Sequence, residues 1–230
     1  AAARLVRALG GAAGGYASRS RAGGAGLLNP RRWVSIMTEE TPNPDSVKFL
    51  PEDRDVLGPG NKTMLFKNSF DTFGSPLATA IFKVEGVSEV MLAGRHVTVT
   101  KTAASDWDEI EPSIQETMSQ FFKAGLSPLK EGAVEAEQPK LEEGSIEAKI
   151  VELLEERVRP FVQQDGGDVE FDHFDSAEGI CYLRLQGACS GCSKSSITLN
   201  VGIKNLMTHY IPEVKEVVNI EEEEDIPRPR

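Results

Sequence analysis

The chain has 230 residues, 40% hydrophobic and 27% charged, enough for one large globular domain or two modest ones. No stretch approaches the roughly 18 uninterrupted apolar residues of a transmembrane helix. The net charge of −11 argues against a nucleic-acid binder, because phosphate contacts need a basic face. Three cysteines cannot build a disulfide framework, which places the chain in a reducing compartment.

Charge divides the chain. Residues 1–36 contain six arginines and no Asp, Glu or Lys, and removing that +6 leaves −17 on the remainder. Arg-rich, acid-free sequence with abundant Ala, Gly and Ser reads as an organelle transit peptide. A secretory signal fits less well, since Leu5 to Ala17 is interrupted by Arg7 and several glycines. We therefore expect a leader over 1–36 that takes no part in the fold.

Residues 37–126 are expected to form a first small domain. Val47–Leu50 and Met64–Phe66 read as strands separated by the turn residues Gly58-Pro59-Gly60-Asn61. Ser75-Pro76 can open a helix over Leu77–Phe82. Val87–Leu92 and His96–Lys101 suit a hairpin in which Val97 and Val99 face inward and Thr98 and Thr100 outward. Ile110, Ile114, Met118 and Phe121 then mark a helix that Gly125 ends. Residues 127–144, with prolines, glycines, many acids and no apolar period, read as a flexible linker.

The second domain is expected over 145–220. Ser145 is a good helix cap. Ile146, Ile150, Leu153, Leu154, Val158 and Phe161 form the stripe of a helix that Pro160 helps to finish. Asp165-Gly166-Gly167-Asp168 is a turn. Val169, Phe171 and His173 share one face of a strand, and Cys181, Leu183 and Leu185 one face of the next. A helix from about Ser193 carries Leu199, Ile203, Leu206 and Tyr210 on its apolar side, and Val214–Ile220 is a final strand. The predicted fold class is α/β (α+β): two small domains, the second in α-β-β-α-β order. Residues 221–230 read as an acidic, solvated tail.

The chemistry lies in Gly187-Ala188-Cys189-Ser190-Gly191-Cys192, a C-x-x-C between a strand and a helix start. Its small residues are expected to leave both sulfurs accessible, and the following helix N-terminus favours thiolates or an anionic assembly bound to them. Three uses compete. A dithiol redox pair fits the helix start but lacks the usual aromatic and proline surroundings. A structural zinc site needs four ligands, and no second Cys/His pair accompanies this one, with His173 and His209 standing alone. An iron–sulfur cluster needs four thiolates, which two copies of the loop would supply. Cys181 shares a face with leucines and is expected in the core.

Three stretches resemble the Nfu family of iron–sulfur proteins. Gln164-Asp165-Gly166-Gly167-Asp168-Val169, Leu183 through Cys192, and Ser195–Leu199 resemble its NifU-like domain. Thr41 through Phe49, Val84–Val87 and Val97–Lys101 resemble its N-terminal domain. With the leader, the whole is similar to mitochondrial members of that family.

The resemblance implies a non-enzymatic scaffold or carrier in the mitochondrial matrix. Cys189 and Cys192 of each of two protomers would hold a bridging 4Fe–4S cluster, making the working form a homodimer. Expected partners are upstream cluster-assembly factors and apo iron–sulfur proteins such as lipoyl synthase and respiratory-chain subunits, with neither nucleic acid nor membrane among them. The alternative is a dithiol oxidoreductase. Where the family usually has Pro-Ser after the second cysteine, this chain has Ser193-Lys194, which bears on cluster lability and transfer rate.

Overall fold

A computed structural model describes residues 34–58, 62–130, 142, 144–190 and 193–220, with only the backbone over 193–198. These residues fall within one compact unit, Trp33–Arg230, that contains two hydrophobic cores. Most of the segment read as leader (1–33 of 1–36), the Pro59-Gly60-Asn61 part of the first turn, most of the linker (131–141 and 143) and the tail (221–230) lie outside the described residues, as do Gly191 and Cys192.

In the first domain, β1 (Ile36–Glu40), β2 (Ser46–Pro51), β3 (Met64–Phe66), β4 (Val87–Leu92) and β5 (Val97–Lys101) form an antiparallel sheet in the order β1-β2-β5-β4-β3. Two helices supply the remaining core, α1 (Pro76–Ile81) and α2 (Trp107–Lys123). Ser75 caps α1 by accepting a hydrogen bond from Ala78 N at 3.0 Å, and Pro76 follows where its missing N–H costs nothing. Ile110, Ile114, Met118 and Phe121 are buried on one side of α2, as their spacing predicts. They meet Val47, Phe49, Val97 and Val99 from the sheet. A fully buried side chain of this size contributes about 1.5–3 kcal/mol through removal from water.

The domain is slightly larger than expected. Val34 is buried and Ile36 packs against the core, so strand β1 starts inside the segment read as leader. At the other end, Ser75 Oγ donates to Pro128 O, Lys130 N donates to Gly74 O, and Leu129 packs on the core. Residues 128–130 are thus bound to the first domain rather than part of a free linker.

The second domain follows the predicted α-β-β-α-β order. A helical segment runs through α3 (Ile146–Leu153), a wide π turn (Leu154–Val158) and α4 (Arg159–Gln164). Strands β6 (Gly167–Asp175) and β7 (Ile180–Gly187) form an antiparallel pair, followed by α5 (Ser193–Tyr210) and β8 (Glu216–Asn219). Strand β8 lies parallel to β7, giving the order β6-β7-β8. Ser145 caps α3 as expected, accepting from Ala148 N at 3.1 Å.

Three details differ from the sequence reading. Pro160 does not finish the first helix, which continues to Gln164. The π turn just before it relaxes the hydrogen-bond ladder where Pro160 lacks a donor. The same turn moves the buried stripe to Ile150, Leu154, Val158 and Val162, a repeat of four, and leaves Phe161 67% exposed.

A bulge between Phe171 and His173 reverses the alternation in β6. His173 consequently stacks on Tyr182 at 4.2 Å, while Phe174 takes the inward position opposite Cys181. Among the described side chains of α5 the buried ones are Ile203 and Met207, continued by Ile211 beyond its end, and Tyr210 is exposed.

Candidate functional site: the cysteine loop

Strand β7 delivers the loop. Its inward residues Cys181, Leu183 and Leu185 lie in the second core, and Gly187 ends the strand with φ +63°. The chain then turns tightly: Ser190 N and Ser190 Oγ both donate to Gly187 O, at 3.0 and 2.8 Å. Ala188 N donates to Gly166 O at 3.2 Å, tying the loop to the turn that precedes β6. Helix α5 begins at Ser193, four residues after Cys189, so the loop approaches a helix N-terminus that carries partial positive charge.

Cys189 is 4% exposed, which corrects the expectation of an open sulfur. The loop's own side chains are small, but Gly167 closes against the sulfur. A Cβ placed on Gly167 would lie 2.4 Å from Cys189 Sγ and 2.8 Å from Gln186 O. Glycine is required there because the sulfur occupies the position of a side chain. The loop nevertheless borders space: Cys189 lines a cavity of about 480 Å³ together with Val158, Phe161, Leu199, Ile203 and Leu206. The outward displacement of Phe161 by the π turn therefore forms part of the cavity wall.

The turn beneath the loop is itself anchored. Arg159 Nε donates to Asp168 Oδ1 at 2.9 Å and its Nη2 to Val169 O at 3.1 Å, while Arg159 also pairs with Glu155. Asp168 Oδ1 further accepts from Val169 N at 2.9 Å. Asp168 is 4% exposed, and a carboxylate so buried needs this set of donors. The role of Arg159 escaped sequence reading, since an arginine beside glutamates on a helix reads as a surface charge.

Cys181 stands apart from this arrangement. It is fully buried, and burial pushes its thiol up to about 12, so it stays protonated. Six strand steps separate it from Gly187, about 20 Å at the usual rise. The core role expected of it is what the structure shows. His173 is held by Asp172 at 2.7 Å and stacked on Tyr182, and His209 lies edge-on to Tyr210 at 5.0 Å. Among the described residues, no three His, Cys, Asp or Glu side chains converge as a metal site.

Comparison with known proteins decides the family. Residues 36–125 match the family described as scaffold protein Nfu/NifU N terminal, and residues 150–218 match the NifU-like domain. The chain is 41% identical over 201 residues to the Homo sapiens protein named NFU1 iron-sulfur cluster scaffold homolog, mitochondrial, covering 87% of this chain and 77% of that one. The chain belongs to the Nfu family.

NifU-like protein 5, mitochondrial, of Arabidopsis thaliana is 43% identical over 203 residues, covering 87% of this chain and 73% of that one. A solution structure of a NifU-like protein from Saccharomyces cerevisiae is 27% identical and covers 49% of this chain and 98% of its own, with a TM-score of 0.42. Like its named Nfu relatives, the chain is mitochondrial. In Nfu terms, the motif Gln164–Val169 is the anchored turn just described, and Leu183–Cys189 is the strand and loop that lie on it.

Proposed function

We propose that this Nfu chain is an iron–sulfur cluster scaffold in which two copies hold one 4Fe–4S cluster through Cys189 and Cys192 of each. It passes that cluster to apo-proteins of the mitochondrial matrix. Relatives across most of its length are named iron–sulfur cluster scaffold homologs, which supports the general role. The observation that carries the ligand assignment is the separation of Cys181. Of the three cysteines, one is locked protonated in a core, which leaves two thiols per chain, whereas a 4Fe–4S cluster takes four.

The cluster is cargo. Delivery is ligand exchange: a recipient thiol loses its proton as its Fe–S bond forms, and the departing cysteine thiolate takes one up. No net oxidation is needed, and no general acid or base is required of the chain. Lipoyl synthase and respiratory-chain subunits are the recipients this reading expects, with upstream assembly factors as donors.

The test is anaerobic reconstitution with iron and sulfide, followed by iron, sulfide and protein analysis and Mössbauer spectroscopy. About four irons and four sulfides per two chains are expected. Loading is expected to disappear in Cys189→Ser and in Cys192→Ser and to persist in Cys181→Ser. Apparent mass on a sizing column should rise with loading. Failure to load, together with a reversible Cys189–Cys192 disulfide, would replace this reading with a dithiol oxidoreductase.

A further inference from the structure

The first domain's sheet has a second buried face, and the cysteine loop lies against it. Register places Glu39, Lys48, Thr98, Met91 and Leu65 in one row across β1, β2, β5, β4 and β3. Lys48, Thr98 and Met91, at the centre of this row, are 7%, 1% and 1% exposed. A buried ammonium is costly unless partnered. Lys48 Nζ has the Glu39 carboxylate at 2.7 Å and donates to Gln164 O in the second domain, also at 2.7 Å. Gln164 is the last residue of α4, where carbonyls lack helical partners and favour a cation.

The neighbouring row members continue the contact. Thr98 Oγ1 donates to Gly166 O at 2.8 Å, the same carbonyl that accepts Ala188 N. A Cβ on Gly166 would fall 2.9 Å from both Lys48 Cγ and Thr41 Cγ2. A Cβ on Gly187 would fall 2.6 Å from Met91 Sδ. The sheet thus touches both strands of chain that support Cys189: the turn through Gly167, on which its sulfur rests, and the end of β7.

We infer that Lys48 and Thr98 are positioning residues for the cysteine loop, through which the N-terminal domain holds the Cys189 thiol in its buried setting and slows its exchange. For iron release this deepens the scaffold reading and rests on it; for the setting of the thiol it does not.

The test uses the full chain with Lys48→Met, Thr98→Val and, as a control, Lys101→Met. Lys101, on the same sheet, pairs with Asp45 in the turn before β2, within the first domain. In reduced apo-protein, alkylation of Cys189 by iodoacetamide is followed by peptide mass spectrometry. In reconstituted protein, iron release to a ferrous chelator is timed. Losing one of these hydrogen bonds is expected to speed both processes about fivefold to tenfold. Lys101→Met should remain at the parent rate.

Unchanged rates in both loop variants, or equal acceleration in Lys101→Met, would overturn the inference. Thr98→Val, which exchanges a hydroxyl for a methyl, carries the test if Lys48→Met does not fold. A parent protein that takes up no iron would sink the scaffold reading, while the alkylation rates would still decide the positioning role.

Discussion

In the N-terminal sheet, Lys48 and Thr98 are polar residues buried against another part of the chain, whereas in the C-terminal sheet Glu170, Asp172, Tyr182 and Arg184 remain half-buried along one open face. Both sets satisfy their polar groups. Arg184 donates to Asp172 Oδ1 at 3.0 and 2.8 Å, and Gln186 Nε2 donates to Glu170 Oε2 at 3.1 Å. Burial opposes ionisation of Asp172, but hydrogen bonds from His173 and Arg184 together hold its carboxyl below the usual range. The difference is where the partners come from. Across the C-terminal sheet they are mostly neighbours in the same domain, with Lys62 reaching Glu170 from the first, whereas Lys48, besides Glu39, and Thr98 also bond backbone carbonyls of the other domain. A polar face with remote partners marks a docking surface, and here that surface supports the functional loop.

The largest effect should come where backbone and sulfur meet. Gly167→Ala drives a Cβ into Cys189 Sγ and Gln186 O, and the carbonyl cannot swing aside as a side-chain tip can. Loss of cluster loading and destabilisation of about 3 kcal/mol are expected, read by reconstitution and denaturant unfolding. Retention of parent loading would show that the contact yields and that the loop is not set by this turn.

Asp168→Ala should cost nearly as much, about 3 kcal/mol, because it leaves Arg159 Nε and the buried Val169 N–H without the acceptor they share. Urea midpoints of the two proteins measure the loss. A shift below about 1 kcal/mol would place this pair with ordinary surface ion pairs.

His96 distinguishes the two domains by pH. It is 7% exposed, its Nε2 has no hydrogen-bond partner among the described residues, and burial, with Lys48 adding and Glu39 opposing, lowers its pKa to about 4. The unfolded chain takes up the proton near pH 6.5, well before the folded one. Stability is therefore full above pH 6.5, falls as the pH drops toward 4, and levels below that. The loss amounts to about 3 kcal/mol from this group. Unfolding measured from pH 7 to 4 should show this slope, and His96→Phe should flatten it; a parallel slope in the variant would assign the acid sensitivity elsewhere.

The smallest effect belongs to Lys62, which pairs with Glu170 at a largely exposed position. Lys62→Met should change stability by no more than about 0.5 kcal/mol, with unchanged Cys189 alkylation. A larger change in either would extend the docking surface to that edge.

Features governed by near neighbours were legible in the residues. Ser75-Pro76 and Ser145 began helices where they should, Gly125 followed α2 with φ +70°, and the Val97/Val99 alternation found the inner face of β5. Strand β1 is not legible because Ile36 and Met37 stand beside an arginine-rich stretch that resembles nothing folded. A 3.6-residue period puts Phe161 and Tyr210 inward, whereas a π turn shifts the stripe past Phe161 and the neighbours of α5 bury Met207 in place of Tyr210. The bulge at Asp172 leaves no mark in the alternation of β6 before the partner strand is known.

By itself, then, the sequence determined the two sets of local elements, the family, and the C-x-x-C between a strand and a helix, because capping, turn chemistry and side-chain period act over a few residues. Only the tertiary structure decided that Cys189 is buried rather than open, that Gly167 supports its sulfur, and that Lys48 and Thr98 turn inward. Those outcomes rest on contacts between residues 167 and 189, 48 and 164, and 98 and 166. At such separations the chain's pattern carries no register, and a lysine or threonine on the polar face of a strand looks the same whether it meets water or another domain's carbonyl.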